Sequence, residues 1–252
     1  MPQPLLEVTS LTLRIPIFRP LDRKLLSNPS RLLSDLYLSR TRRASVTLLD
    51  NIAFSIKPGE RLGLIGVNGS GKSTLLRVLA GIYVPTTGTL TVNGTAKGMF
   101  DISMGMHTEA TGLENIYMRG LQMGLNLQEI KTLIPEIIEF SELKEVIDNP
   151  FNTYSTGMRM RLAFSISTMI DPDILLLDEW IGAGDAGFRR KINNRMDSLI
   201  EQSRGLVVAS HNTSLMKDLC THGLVLSNGS MIFCGGLAEA LERYQKEINP
   251  KS

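Results

Sequence analysis

Residues 66–73 constrain this chain more than any other stretch. Gly66-Val67-Asn68-Gly69-Ser70-Gly71-Lys72-Ser73 fits the phosphate-loop pattern G-x-x-x-x-G-K-[ST]. Before it, Leu62, Leu64 and Ile65 form a short apolar run that predicts a buried strand. After it, Ser73 to Ala80 predicts a helix, with Gly81 in the place of a C-terminal cap. The glycines let successive backbone N–H groups turn towards one anion, and the helix start adds roughly half a positive charge. Lys72 can then reach the β- and γ-phosphates, and the Ser73 hydroxyl can hold Mg²⁺. Residues Gly66 to Ser73, with Thr74, are therefore the candidate nucleotide-binding set.

The 252 residues are enough for one large α/β domain with a subdomain. A net charge of +2 selects no class of partner, and the spacing of Cys220 and Cys234 matches no zinc or redox motif, which suits a reducing compartment. The N-terminal MPQPLLEV lacks the charged and apolar regions of a secretory signal. No apolar run approaches the roughly 18 residues of a membrane span. The expectation is an intracellular protein whose membrane contacts are peripheral or pass through a partner.

Read in order, Leu11, Leu13 and Ile15 alternate as a strand, and so do Ile52, Phe54 and Ile56. Between them, residues 16–46 form a basic insertion, with Arg19, Arg23, Lys24, Arg31, Arg40, Arg42 and Arg43 against Asp22 and Asp35. Asn28-Pro29 resembles a helix start, with Leu32, Leu33, Leu36 and Tyr37 on one face. Two readings stay open for it: a solvated basic surface, or a helix lying on anionic headgroups or a membrane partner. Thr89 to Asn93 predicts a strand. Residues 98–167 are read as a helical subdomain inserted into an α/β core of 1–97 and 168–252. There Ile130, Leu133, Ile134, Ile137 and Ile138 share a helix face, and Pro135 predicts a kink or restart. The frequent methionines of this region are read as packing material rather than a ligand site. Ile174 to Glu179 is a buried strand ending in two acids, Asp178 and Glu179, and Leu206 to His211 is another ending in a histidine. Asn228-Gly229 between apolar runs predicts a hairpin, and Leu237, Leu241 and Tyr244 share a closing helical stripe.

The later motifs narrow the reading. Tyr154-Ser155-Thr156-Gly157-Met158 before a helical run resembles the signature motif of ABC-type ATPases. Asp178-Glu179, Asp185 and His211 follow in the order of that family's strand-end acids, D-loop aspartate and switch histidine. The runs HTEATGLENIYMRG, YSTGMRMRLAFSIS and DEWIGAGDAGFRRK are similar to the nucleotide-binding subunits of bacterial polysaccharide exporters, in the short form without a C-terminal carbohydrate-binding domain. The resemblance implies a P-loop NTPase core of the ABC ATPase type, with an antiparallel β subdomain and the inserted helical subdomain. It implies ATP and Mg²⁺, with Lys72, Glu179 and His211 as catalytic residues and Ser73 and Asp178 on the metal. Ser155 and Gly157 would serve the nucleotide of the opposite subunit in a two-fold dimer, and Asp185 would join the nucleotide-binding set. A separate membrane permease would carry a lipid-linked polysaccharide (O-antigen, or else capsule or teichoic acid) from the cytoplasmic face of the inner membrane. Two departures stand out: Ile15, with Phe18 nearby, takes the place of the family's adenine-stacking aromatic, and Met106-His107-Thr108-Glu109 replaces its Q-loop glutamine, leaving His107 as candidate. A nucleic-acid partner is disfavoured by the few aromatics in the basic segment. A guanine nucleotide is disfavoured by the lack of an N-K-x-D motif.

Overall fold

The computed structural model describes residues 3–16, 45–100, 102, 105–178, 186–210 and 212–248. The helix expected after Asn28, Phe18 and most of the basic insertion lie outside these residues. In chain order the elements are β1 (Leu6–Pro16), β2 (Ser45–Ile56), β3 (Arg61–Ile65), α1 (Lys72–Leu79), β4 (Thr87–Val92) and β5 (Ala96–Met99). Three helices follow: α2 (Gly112–Gln122), α3 (Leu127–Ser141) and α4 (Thr156–Ser167). The remainder is β6 (Ile174–Asp178), α5 (Ala186–Gln202), β7 (Gly205–Ala209), α6 (Thr213–Leu219), β8 (His222–Ser227), β9 (Ser230–Gly236) and α7 (Leu237–Ile248).

The strands are ordered β4-β1-β2-β9-β8-β3-β7-β6-β5. One end is antiparallel, with β1 between β2 and β4. The other is parallel, running β8-β3-β7-β6-β5. Parallel strands are covered on both faces, so their side chains alternate between two cores rather than between core and water. In β6, Ile174 and Leu176 pack with α1, whereas Leu175 and Leu177 pack with Phe188, Ile192 and Met196 of α5. A third core, around Ile116, Ile130, Ile137 and Leu162, belongs to α2, α3 and α4. The rings of Phe140, Phe164 and Phe188 join these helices to α5, with centroids 5.8–6.4 Å apart. Glu142 reinforces the joint, its two carboxylate oxygens each 2.6 Å from Arg161 or Lys191.

The structure bears on three local expectations. No restart occurs at Pro135: α3 is a single helix over 15 residues. Pro135 and Lys131, whose carbonyl loses its partner, are both exposed, so water can serve that carbonyl, while Ile130 and Ile137 anchor either side. Ile15 leaves the buried alternation, because register shifts between Val8 and Arg14 turn it outward opposite Val46, 38% exposed. Gly81 stands one residue past the C-cap Ala80. There its φ of 73° lets its N–H reach Val78 O and that of Ile82 reach Arg77 O, both at 2.9 Å. The methionines pack as expected: Met99 is buried, and Met106, Met123 and Met158 lie against the helical core. No helix among the described residues is long and apolar enough to cross a membrane.

Candidate functional site

The loop from β3 to α1 is shaped by its glycines. Gly69 and Gly71 have φ of 80° and 107°, values that side-chain-bearing residues rarely adopt. At Gly66 a Cβ would lie 2.4 Å from Ser70 Oγ and 2.5 Å from Leu226 O, so only glycine fits. The Ser70 N–H donates to Val67 O at 3.1 Å, and Lys72 Nζ donates to the carbonyls of Gly66 and Val67 at 2.7 and 3.0 Å. The loop is braced from outside by the β8–β9 turn: the Gly229 N–H donates to Ser70 O, and the Asp50 N–H to Gly229 O, both at 2.9 Å. Gly229 is required there, because a Cβ would lie 2.4 Å from Leu48 O.

A cavity of about 380 Å³ opens over this loop. Asn68, Gly69, Gly71, Lys72, Ser73 and Thr74 line it from the loop and α1, and Asp178 and Ser210 from the ends of β6 and β7. The last two elements are neighbours, Asp178 pairing with Ala209. Gly66, Val67 and Ser70 do not line the cavity but frame the loop. Ser70 is 1% exposed and turns its hydroxyl inward, without a partner among the described residues. Leu48, which the sequence did not single out, forms part of the wall. Glu179, Asp185 and His211 lie outside the described residues; each follows the end of an element that reaches the cavity or belongs to the link after β6.

The α1 helix begins without a side-chain cap, Gly71 being its N-cap, so its first N–H groups face the cavity unshared by a capping side chain. These donors, with the Lys72 ammonium, make an anion site. The Ser73 hydroxyl and the Asp178 carboxylate on the same wall are hard oxygen donors, which suit Mg²⁺. Among the described residues no group of three or more His, Cys, Asp or Glu gathers to hold a metal. A cation here would rest on few protein oxygens and on the phosphates of its nucleotide, as Mg²⁺ commonly does.

Ser155 and Gly157 are elsewhere. They are exposed at the start of α4 and open on a separate depression, with Glu142 and Arg161 among its walls. The Ser155 hydroxyl accepts from the Met158 N–H at 3.2 Å, which leaves its own proton available to donate outward. His107 is also off the phosphate cavity, exposed on a shallow cleft with Glu109 and Tyr117. Its segment is fixed by a residue the sequence reading passed over. Asn115, fully buried, accepts from the His107 N–H at 2.7 Å and donates to the carbonyls of His107, Ala110 and Thr111 at 3.0, 3.3 and 2.9 Å. The signal next to it was the Thr111–Glu114 capping box that starts α2.

The description "ABC transporter" belongs to the family model that matches residues 49–182. The chain is 39% identical over 223 residues to the teichoic acids export ATP-binding protein TagH of Bacillus anthracis, covering 88% of this chain and 40% of that protein. It is 45% identical over 191 residues to the O-antigen export system ATP-binding protein RfbE of Yersinia enterocolitica, covering 76% and 80%. The chain thus spans less than half the length of the Bacillus relative. In fold it is similar to a solved dimeric ATP-binding cassette bound to ADP and Pi, with a TM-score of 0.64 at 19% identity over 92% of this chain and 98% of that one. Because that family model covers more than half of the chain, the chain belongs to the ABC transporter family.

Proposed function

We propose that this chain is the ATP-hydrolysing subunit of an exporter that moves a lipid-linked polysaccharide, O-antigen foremost, across the bacterial inner membrane. The convergence of the open start of α1, Lys72, Ser73 and Asp178 on one cavity carries the nucleotide reading. The likeness to an O-antigen export protein supports the cargo, and the likeness to a teichoic acids export protein favours teichoic acid as the second reading.

Backbone N–H groups from Asn68 to Ser73 hold the phosphates. Lys72 exchanges the carbonyls of Gly66 and Val67 for the β- and γ-phosphate oxygens. Ser73 and Asp178 would hold Mg²⁺, which would supply neutralisation of the phosphate charge. Glu179 polarises the attacking water, and His211 holds the γ-phosphate end. Ser155 and Gly157 complete the site of a second copy, so that two chains enclose two nucleotides across an isologous interface. ATP binding closes this dimer and hydrolysis reopens it. Force passes to a separate permease at the cytoplasmic face through the helical subdomain and the segment around residues 99–112.

The test is Glu179→Gln. It should bind ATP normally and turn over at least roughly 100-fold slower. Light scattering with ATP should then find dimers. Near-normal phosphate release removes Glu179 from the role, and a strict monomer at high concentration removes the sandwich. Failure of the chain to co-elute with its membrane partner in mild detergent counts against the transport reading alone.

A further inference from the structure

Helix α3 ends on a side chain where a glycine would be expected. Its C-cap, Glu142, has φ of 59° and ψ of 33°, the left-handed region that glycine and asparagine usually fill at helix ends. The Glu142 N–H donates to Ile138 O at 3.1 Å, which closes the helix without any use of the side chain. The carboxylate reaches sideways instead. One oxygen meets Arg161 Nη1 of α4 and the other Lys191 Nζ of α5, each at 2.6 Å. Aromatic rings repeat the crossing. The Arg161 guanidinium lies 4.9 Å from the centre of the Phe188 ring of α5, and the Lys191 ammonium 5.9 Å from that of Phe140 of α3. The hydrogen bond from Lys191, ahead of the charges of Lys191 and Arg161, holds the Glu142 carboxyl below the usual carboxylate range, so it is ionised at neutral pH.

Stability does not account for a glutamate at this position. Its side chain is 47% exposed, and ion pairs this open to water contribute little to folding. Glycine would relax the backbone there at no steric cost. What the glutamate adds is a fixed joint between α3, α4 and α5. Arg161 stands on the helix that Ser155 and Gly157 begin. Lys191 and Phe188 stand on α5, which packs through Phe188, Ile192 and Met196 on Leu175 and Leu177 of β6, and β6 ends at Asp178 in the phosphate cavity. Glu142 thus sits between the part this chain offers its own nucleotide and the part it offers a second copy. Resting on the two-copy reading above, we infer that Glu142 is a positioning residue for hydrolysis: it pins α4 to α5, so that Ser155 and Gly157 stand at a fixed distance and angle from the chain's own Asp178. It acts through Arg161 and Lys191 rather than on the nucleotide. With the joint in place, closure on one nucleotide presents the half-site correctly to the other. Without it, α4 settles in several positions and the second nucleotide is held loosely.

The test is Glu142→Gly in the full chain. Its unfolding temperature should stay within about 2 °C of the parent or rise, since glycine relieves the left-handed backbone while only a surface pair is lost. Calorimetric ATP affinity should stay within about twofold, because the phosphate cavity is distant from the change. The kcat at saturating ATP should fall roughly 10- to 100-fold, the scale of a misplaced group at a reacting centre. ATP-driven dimerisation in the Glu179→Gln background should weaken by a similar factor. Glu142→Gln keeps the length and one acceptor oxygen and should lose less. Lys191→Met should also lower kcat, and should add little when combined with Glu142→Gly, as groups acting as one unit do. A kcat within about twofold of the parent overturns the role of Glu142. So does a fall in kcat matched by falls in unfolding temperature and ATP affinity, the pattern of a merely structural residue. Full additivity of the Glu142 and Lys191 losses overturns the joint. A parent that neither hydrolyses ATP nor pairs with a second copy overturns the two-copy reading and this role with it, whereas an active parent with equally active Glu142 variants overturns the role alone.

Discussion

The starts of α1 and α4, the two helix N-termini proposed to meet phosphate, are built in opposite ways. At α1 the N-cap is Gly71, with φ of 107° and no side-chain cap. At α4 the N-cap is Ser155, with φ of −62°, and its hydroxyl already accepts from Met158. The first site is made of open backbone donors in a loop folded back on itself, with Lys72 poised beside it. The second offers one exposed hydroxyl and a shallow surface. A helix start with nothing spent on capping can bind an anion unaided, whereas a capped one adds only what its serine proton and remaining N–H groups supply. That asymmetry is why the first is read as a whole phosphate site and the second as the half completed by another copy.

The contrast is open to breakage at its glycines, where the largest effect is expected. Gly66→Ala forces a Cβ against Ser70 Oγ and the Leu226 carbonyl, and should cost at least about 100-fold in nucleotide affinity, the scale of about 3 kcal/mol for an overpacked site whose loop must shift to make room. Gly157→Ala meets only Ser155 Oγ, at 3.9 Å, and should leave calorimetric nucleotide affinity of the isolated chain within about twofold. Equal losses from the two substitutions would erase the distinction drawn between the sites.

Next in size is the frame that holds the helical half. Asn115→Ala removes a fully buried amide and leaves the His107 N–H and three carbonyls without their partner, and should lower unfolding stability by about 2–3 kcal/mol in denaturant titration. Lys97 at the seam should act in the opposite direction. Burial holds its folded pKa at about 7, below its ordinary 10.5, so the unfolded chain binds the extra proton between these values and stability rises with pH across that window. Lys97→Met should therefore stabilise the chain at pH 7 by on the order of 2 kcal/mol and flatten its pH dependence relative to the parent. A steeper rise in the variant would reverse the assignment. The smallest effect belongs to the capped helix start: Ser155→Ala should cost about 1 kcal/mol in thermal unfolding and leave monomer nucleotide affinity unchanged.

Much of this was legible residue by residue. The phosphate loop, the strand before it and the helix after it were read from a few consecutive positions. So was the Asn228-Gly229 hairpin, whose residues have φ of 47° and 80° as a two-residue turn of this kind needs. The strands running to Asp178-Glu179 and to His211 were read from apolar runs; Asp178 and Ser210 reach the phosphate cavity, and Glu179 and His211 lie outside the described residues. Ile15 falls in β1, as its alternation with Leu11 and Leu13 predicted, but its exposure goes with register shifts that no period-2 pattern reveals. Pro135 was given too much weight, since a proline on an exposed helix face frees a carbonyl that solvent can serve. Asn115 was passed over because an asparagine within a helix advertises nothing until its loop partners are known.

The sequence by itself determined the loop that cradles phosphate, because glycine's backbone freedom and the fixed spacing to Lys72 and Ser73 act within one turn of chain. The tertiary structure alone decided that the Gly229 turn braces that loop, that Asn115 pins the His107 segment, and that Lys97 and Arg119 share a cleft. Gly229 and Ser70 are far apart in the chain and Lys97 and Arg119 lie on different elements, so only the packing of sheet and helices brings them together, whereas Asn115 reaches back over a few residues once the segment before α2 folds onto the start of that helix.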